Sequence, residues 1–238
     1  MKKRHLIPIG LTAAVLLALP IAAGAGEGTI SSGLSLFGGL FTPSLNLISE
    51  GPIYSDIGSV DAETVTRGET PMDACIGVGL TSRNSSGFAS RFAYMYKREA
   101  EMVYTISSAS DYEIVYEADE KPKFKYTIHM LTIALMKHIR LVPSGFSIYL
   151  GGGVGGALLI YPETNNDVKY SPGVTGFPLV GVEMMMGSHL GLFSEFQFHF
   201  GRTLDQHYSI GEGSDSSTID YHYSLKGAHL LGGVNLYF

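Results

Sequence analysis

The end of the chain constrains the fold more than any other stretch. From Ala228 onward every second residue is apolar or small, and the residues between them include His229 and Asn235. A period of two is typical of a β-strand, because successive side chains of a strand point to opposite faces. The sequence therefore predicts a final strand with one apolar face, formed by Ala228, Leu230, Gly232, Val234, Leu236 and Phe238.

The beginning of the chain has the pattern of a secretory signal. Lys2, Lys3 and Arg4 precede an apolar run over 11–23, and small residues follow at Gly24 and Ala25. Signal peptidases cleave after small residues at such a position, so we expect residues 1–25 to be removed. A retained membrane anchor is the weaker alternative, because the run is shorter than the roughly 20 residues that a spanning helix needs.

An amphipathic last strand that ends on an aromatic residue, behind a secretory signal, resembles the outer-membrane β-barrels of Gram-negative bacteria. The likeness to their C-terminal assembly signal rests on Leu230, Val234, Leu236, Tyr237 and Phe238. Over residues 26–238 the chain resembles the small barrels of the OmpA/OmpX-like group. The resemblance implies an all-β fold, a transmembrane antiparallel up-and-down barrel of about eight strands in the bacterial outer membrane. Its partners would be outer-membrane lipid, lipopolysaccharide and the barrel-assembly machinery.

Composition and charge agree with a barrel and exclude other classes. After the signal no apolar run approaches the length of a membrane-spanning helix. The formal charge of −6 becomes −9 without the three cationic signal residues, so an acidic chain with no basic stripe is not expected to bind nucleic acid. Cys75 is the single cysteine, so it forms no disulfide within the chain and is no lipoprotein anchor.

The rest of the chain alternates between strands and connections of unequal length. Alternation predicts further strands at about 34–42, 72–81, 91–106, 123–141, 146–160, 174–186 and 192–201. Long polar connections are predicted at 46–69, 107–122, 163–172 and 211–217, and short turns lie between them. Because outer-membrane barrels have long extracellular loops and short periplasmic turns, the four long loops are expected outside, where they could meet an extracellular ligand.

The strand faces opposite the apolar ones gather polar and charged residues. This predicted interior cluster contains Asp73, Arg91, Lys97, Glu99, Glu101, Lys125, Glu183, Glu195, Gln197, His199 and His229. An eight-stranded barrel is just wide enough for side chains to fill it, so these charges are expected to pair as a plug. A catalytic pair of Glu99 and Glu101 is the alternative, and a filled lumen disfavours it because no substrate could enter.

Two further patterns have a structural explanation. The glycine run at 151–156 is not followed by a helix, so it is expected to be part of a strand and not a phosphate-binding loop. The chain has no tryptophan, so the aromatic residues expected at the membrane–water interface are Tyr94, Tyr96, Tyr104, Tyr126, Phe196 and Tyr237. The histidines lack ligand spacing, so no metal site and no cofactor is predicted.

Three functions remain open from the sequence. The first is a non-enzymatic structural or surface-interaction role through the outer loops. The second is a narrow pore for ions or small solutes, favoured if the inward glycines leave a continuous gap. These glycines are Gly77, Gly79, Gly151, Gly153 and Gly155.

The third function rests on His207-Tyr208-Ser209, which resembles the His-x-Ser of outer-membrane lipid A deacylases. The resemblance implies Ser209 as nucleophile and His207 as base, with Asp220 or Glu212 as orienter. Ile210 stands where that family has Asn. Alternation counted from Phe196 also places His207 and Ser209 inward, whereas the family's site faces lipid.

Overall fold

The computed structural model describes residues 31–55, 58–69, 73–108, 123–141, 145–162, 168–210 and 217–238. Within these ranges, side chains are described for 31–42, 73–97, 125–141, 145–161, 169–206 and 221–238. The predicted signal peptide, residues 1–25, lies outside the described residues and stays a prediction. In these ranges there is no helix long and apolar enough to cross a membrane.

Ten strands account for almost all of the described backbone. They are β1 (Ser31–Ser55), β2 (Gly58–Glu69), β3 (Asp73–Arg83), β4 (Phe88–Ser108), β5 (Lys123–Arg140), β6 (Phe146–Pro162), β7 (Val168–Met186), β8 (Leu190–Thr203), β9 (Gln206–Ile210) and β10 (Ser217–Tyr237).

The ten strands form one closed barrel. Neighbours pair in the order β2-β1-β3-β4-β5-β6-β7-β8-β10-β9, and β1 also pairs with β10. β2 continues the line of β3 along β1 and β4, and β9 continues the line of β8 along β10. The circuit therefore has eight antiparallel positions, which confirms the predicted eight-stranded barrel.

Closure depends on the first and last strands. The register of β1 and β10 begins at Gly33 opposite Tyr237 and continues to Glu50 opposite Asp220. This ladder pairs the first strand with the last and so closes the sheet. Closure is what a sheet needs in hydrocarbon, where no water is present to satisfy unpaired backbone groups.

The two faces of the wall have opposite chemistry. The outward positions expose large apolar side chains all around the barrel, whereas the inward positions hold buried charges such as Arg91 and Glu183. We call the outward set the exterior belt: Leu36, Leu40, Ile76, Val78, Leu80, Ile133, Leu135, Leu150, Val154, Val174, Val180, Val182, Met184, Leu192, Phe196, Phe198, Phe200, Leu230 and Leu236. A soluble protein buries such residues, so this wall faces a membrane.

The two ends of the barrel differ in their connections. One end, which we call the terminal end, holds Ser31, Phe238, the short turns at 84–87 and 187–189, and the strand ends at Arg140 and Phe146. Gly87, Gly145 and Gly187 have φ values of 85°, 96° and 78°, a backbone conformation that glycine adopts without strain. The strand ends at Ser55, Ser108, Pro162 and Ile210 lie at the opposite, distal end.

The predicted loops were too long. Residues 46–69 form a paired hairpin in which Asn46 lies opposite Arg67 and Ser55 opposite Gly58. Likewise 107–108 belong to β4, 168–172 to β7 and Ser217 to β10, and the remainder of those three loops lies outside the described residues. The prediction failed because strands beyond the exterior belt need no apolar face, so they lose the period of two while their backbone pairing continues.

Candidate functional site

Two ion pairs cross the lumen from wall to wall. Arg83 Nη1 lies 2.7 Å from Glu183 Oε2, and Arg91 Nη2 lies 2.5 Å from Glu195 Oε1. Each pair joins strands four places apart in the eight-strand circuit, β3 with β7 and β4 with β8. Both pairs therefore span the full diameter of the barrel.

Glu183 is the centre of a network at the terminal end. Its carboxylate is fully buried, and Oε1 accepts hydrogen bonds from Asn235 Nδ2 and Tyr237 Oη, each at 2.7 Å. Oε2 accepts a hydrogen bond from the Arg83 guanidinium and lies 3.6 Å from His138 Nδ1. Charge-assisted bonds of this kind are the strong ones in a protein, so Glu183 ties together four strands of the wall.

Small hydroxyls extend this network across the first strand. Ser35 Oγ donates to Asn235 Oδ1 at 2.6 Å and lies 2.7 Å from Thr81 Oγ1. All three side chains are buried. The amide of Asn235 is thereby held between Ser35 and Glu183, which fixes its orientation.

The second ion pair lies deeper in the lumen between aromatic rings. The Arg91 guanidinium is 5.9 Å from the centre of the Phe37 ring and 5.8 Å from that of Phe193. Gln197 Nε2 also donates to Glu195 Oε1, at 2.5 Å. The charges and the two rings fill the same layer of the lumen.

Two histidines of the predicted interior cluster lie face to face. The His199 and His229 rings stack at 4.1 Å, and Phe41 stands edge-on to His229 at 4.0 Å. His199 Nε2 lies 2.7 Å from Gln197 Oε1, and its Nδ1 lies 3.2 Å from Thr175 Oγ1. Neither ring nitrogen of His229 has a hydrogen-bond partner among the described residues.

Lys97 marks the transition to the distal half of the lumen. Its ammonium lies 3.8 Å from Asp73 Oδ2, donates to Tyr126 Oη at 3.1 Å and stands 4.4 Å from the centre of the Phe41 ring. Beyond it the lumen is filled mainly by apolar and aromatic side chains, among them Tyr126, Ile128, Leu159, Tyr161, Tyr223 and Leu225.

Most of the predicted interior cluster is brought together in the lumen. Asp73, Arg91, Lys97, Glu183, Glu195, Gln197, His199 and His229 all take part in the contacts above. Within the described ranges, no three His, Cys, Asp or Glu side chains are grouped so that they could hold a metal ion.

Lys125 was assigned wrongly. It is exposed on the outside of β5, because Tyr126 and Ile128 are the buried residues of that strand. The prediction took the apolar face of β5 as the outward one, whereas Tyr126, Ile128 and Met130 are buried in the lumen and the polar face lies outside.

Glu99 and Glu101 lie outside the described side chains. The pairing of β4 with β5 shifts between Lys97 and Ala100, where the ladder is irregular, and Glu101 lies opposite Lys125 in the register. A bulge of this kind inserts an extra residue and changes which positions share a face. The alternation that starts at Arg91 therefore cannot be continued past Lys97 to assign a face to Glu99 and Glu101.

A second irregularity separates β8 from β9. Gln206 contacts the inward-facing residues Tyr161 and Tyr221 through its Oε1, at 3.2 and 2.7 Å, and its Nε2 donates to Ser171 Oγ. It thus faces the lumen although Phe196 and Phe200, also at even positions, face outward. The alternation has changed between β8 and β9.

The inward placement predicted for His207 and Ser209 counted from Phe196 through this break, so the alternation no longer supports it and it stays a prediction. In the ladder of β9 with β10, His207 lies opposite Asp220 and Ser209 opposite Thr218. The side chains of 207–220 lie outside those described.

The predicted aromatic positions divide into two groups. Tyr94, Tyr96 and Phe196 lie on the outward face, where Tyr94 Oη is 2.7 Å from His129 Nδ1. Tyr126 and Tyr237 are buried in the lumen, so their interfacial assignment is wrong. The side chain of Tyr104 is outside the described set. The terminal strand shows the same division, because Leu230, Val234, Leu236 and Phe238 face outward whereas Tyr237 binds Glu183.

The inward glycines do not leave a continuous gap. A Cβ on Gly77 would collide with the Phe37 ring, and a Cβ on Gly153 would collide with the Phe177 ring. The space that these glycines free in the wall is occupied by rings from neighbouring strands. The glycine run lies within β6, as expected of a strand.

No family model matches the chain, and no curated protein matches it. Among solved structures, the outer membrane protein OprG from Pseudomonas aeruginosa aligns with a TM-score of 0.55 and 14% identity, over 90% of this chain and 98% of that one. The chain has the fold of an outer-membrane β-barrel. Neisserial surface protein A also aligns, with a TM-score of 0.42 and 13% identity over 84% of this chain and 97% of that one.

Sequence reasoning missed several members of this barrel's terminal network. Arg83 falls outside the predicted strand at 72–81, Tyr237 was assigned to the membrane interface, and His138 was not included in the predicted interior cluster. The sequence pattern around these residues was weak, because each lies within a few residues of a strand end, where few positions remain to show a period of two. Arg83 is an odd-numbered residue of β3, like the inward Gly79 and Thr81, and extending that strand by two residues would have placed it correctly.

Proposed function

We propose that this chain is a non-conducting barrel of the bacterial outer membrane that acts through the strands and connections of its distal end. The observation that carries the proposal is the pair of salt bridges across the full diameter of the lumen. Side chains bonded from wall to wall leave solutes no route between them. A barrel plugged in this way has its available surfaces at its rim and on its exterior.

The lengths of the strands support a projecting distal end. A membrane-spanning strand needs about 9–11 residues, whereas β1 has 25, β4 has 21 and β10 has 21. The excess lies beyond the exterior belt at the distal end. More than half of the 22 acidic residues of the chain fall within 46–69, 107–122, 163–172 and 211–217, so a partner with cationic groups would complement this end.

An epitope test checks location and orientation together. One epitope replaces residues 56–57 at the distal end, and a matched epitope replaces Ser188 in a short turn at the terminal end. Antibody is expected to label intact cells that carry the first epitope, and to reach the second only after the outer membrane is permeabilised. Labelling of the Ser188 site on intact cells would reverse the orientation and remove the proposed surface role.

A charge test checks the proposed partner chemistry. In proteoliposomes, labelled polylysine is expected to bind the wild-type chain and to bind less to a variant with Glu50, Asp61 and Glu63 changed to the corresponding amides. A variant with Asp73→Asn, an acidic residue that faces the lumen, serves as the control and should bind as the wild type does. Equal binding by all three proteins would contradict an acidic docking surface.

The ladder of β9 with β10 favours a second candidate function, a lipid A deacylase-like hydrolase. It places His207 opposite Asp220 and Ser209 two residues along the same strand, an arrangement compatible with a Ser-His-Asp triad. In that role Ser209 Oγ attacks the ester carbonyl and its proton passes to His207. The sugar hydroxyl then leaves, and water releases the fatty acid.

Mass spectrometry of lipid A tests this second candidate. The refolded chain should remove one acyl group, and Ser209→Ala should abolish that mass shift. Ser188→Ala, in an exposed turn at the terminal end, is the matched control and should leave it unchanged. An unaltered lipid A mass with folded wild-type protein would eliminate the enzyme hypothesis.

A further inference from the structure

Two cations lie side by side on the outside of the barrel. Arg202 of β8 and Lys226 of β10 are both exposed. Arg202 lies opposite Ser224 in the ladder, and Lys226 is two residues from Ser224 on the same face. Arg202 and Lys226 are therefore diagonal neighbours, whose Cα atoms stand about 7–8 Å apart in an antiparallel pair.

Both cations stand where the exterior belt ends. The outward positions of β8 run from Leu190 to Phe200 and are apolar apart from Ser194, and Arg202 is the next. On β10 the outward positions from Leu236 to Ala228 are apolar or small, and Lys226 is the next. At about 3.3 Å per residue and a tilt of about 40°, the distance from Leu190 to Arg202 projects to about 30 Å, the thickness of the hydrocarbon core.

No described carboxylate neutralises this pair of cations. Asp73, Glu183 and Glu195 face the lumen, and the Asp205 carboxylate lies 3.5 Å from His222 Nδ1. Among the side chains that the structure describes, none forms an ion pair with Arg202 or Lys226. Two positive charges without an ion-pair partner in the described part of the chain therefore lie at the level of the lipid headgroups.

An apolar surface adjoins the two cations on the membrane side. Phe198 and Phe200, the outward residues that precede Arg202, are 47% and 51% exposed. Rings at this position can lie against acyl chains while the cations meet the headgroup above them. The surface is thus matched to an amphipathic molecule with an anionic head.

We propose that Arg202 and Lys226 bind a phosphate of a phosphorylated glycolipid in the outer leaflet, of the lipid A class, while Phe198 and Phe200 contact its acyl chains. A guanidinium presents parallel donors that match two phosphate oxygens, and an ammonium adds a second charge. The choice of leaflet rests on the orientation proposed above, whereas the binding of the lipid phosphate does not.

A titration with labelled lipid A tests the site. The full chain is refolded into phosphatidylcholine nanodiscs, and fluorescent lipid A is added while anisotropy is recorded. Each of Arg202→Gln and Lys226→Gln is expected to weaken binding about fivefold, and the double variant about 25-fold, from roughly 1 kcal/mol per cation near an anionic headgroup. Lipid A without its phosphates should bind the wild type as weakly as lipid A binds the double variant.

The matched control is Lys137→Gln at the terminal end. The Lys137 ammonium donates to the Ser86 carbonyl at 2.7 Å and stands 4.1 Å from the centre of the Phe88 ring, far from the proposed site. This variant should bind lipid A as the wild type does, and Arg202→Lys should recover most of the affinity that Arg202→Gln loses. Wild-type affinity in the double variant, or an equal loss with Lys137→Gln, would overturn the proposal.

The result separates this site from the proposed function. A reversed epitope pattern would remove the surface role but leave phosphate-dependent binding in nanodiscs intact. Loss of phosphate dependence would remove the lipid site and leave the plugged lumen unaffected.

Discussion

The two halves of the lumen are filled by different physical means. At the terminal end Glu183 accepts directed bonds from Arg83, Asn235 and Tyr237. At the distal end Ile128 and Leu159, at 2% and 0% exposure, are held by packing alone. Directed bonds specify one arrangement of their partners, whereas packing tolerates exchanges of similar shape. The terminal network therefore specifies one arrangement of the strands that it joins, whereas the packed layer of Ile128 and Leu159 mainly fills the lumen.

The largest expected effect comes from Glu183→Gln. Removal of the charge leaves the partly buried Arg83 guanidinium without its anion and weakens the acceptor of Asn235 and Tyr237. Breaking one side of a buried ion pair typically costs about 3–5 kcal/mol, and we expect a loss of that size in the free energy of unfolding. Urea titration in lipid vesicles, followed by tyrosine fluorescence because the chain has no tryptophan, measures it.

Arg140→Gln is the control for this change, since Arg140 is exposed at the same end of the barrel. It should alter the free energy of unfolding by no more than about 0.5 kcal/mol. A Glu183→Gln variant as stable as Arg140→Gln would show that the terminal network does not hold the barrel together.

A smaller effect is expected from Gly153→Ala. The new methyl group would collide with the Phe177 ring, so the ring must move within a filled layer of the lumen. Overpacking of this kind typically costs about 1–3 kcal/mol. The outward Gly156 is the matched control, because the nearest atom to a Cβ there is the Gly173 carbonyl oxygen at 4.0 Å. If Gly153→Ala and Gly156→Ala unfold at the same urea concentration, the lumen has more room than the structure indicates.

The smallest effect is expected in the distal half, from Ile128→Val. Loss of one buried methylene typically costs about 1 kcal/mol, because an Ile side chain is held by packing and takes part in no hydrogen bond. Ile133→Val, on the outward face of the same strand at 44% exposure, should cost less. A cost for Ile128→Val above that of Glu183→Gln would invert the proposed difference between the two halves.

Sequence patterns predicted the barrel best where the membrane imposes alternation. The outward and inward faces of β7 and β8 follow the period of two, so Glu183, Glu195 and His199 were placed correctly in the lumen. The hydrocarbon surrounding those strands requires an apolar outward residue at each second position. The alternation of apolar and polar residues therefore extends along each strand only as far as the exterior belt does.

Two irregularities in the ladder limited the prediction elsewhere. The shift after Lys97 and the break before Gln206 each change the face on which later residues lie. One inserted residue leaves no mark in the composition, so neither could be recognised from the chain alone. The stacking of His199 on His229 depends on the pairing of β8 with β10, which is a long-range property of the closed barrel.

Planar-bilayer conductance tests the filled lumen most directly. The refolded wild-type chain is expected to give a silent bilayer while it shows the heat-modifiable mobility of a folded barrel. Arg91→Ala with Glu195→Ala removes the salt bridge that spans the middle of the lumen, and we expect this double variant to give discrete current steps. Stable steps from the folded wild-type protein would contradict the plugged barrel and favour the narrow pore.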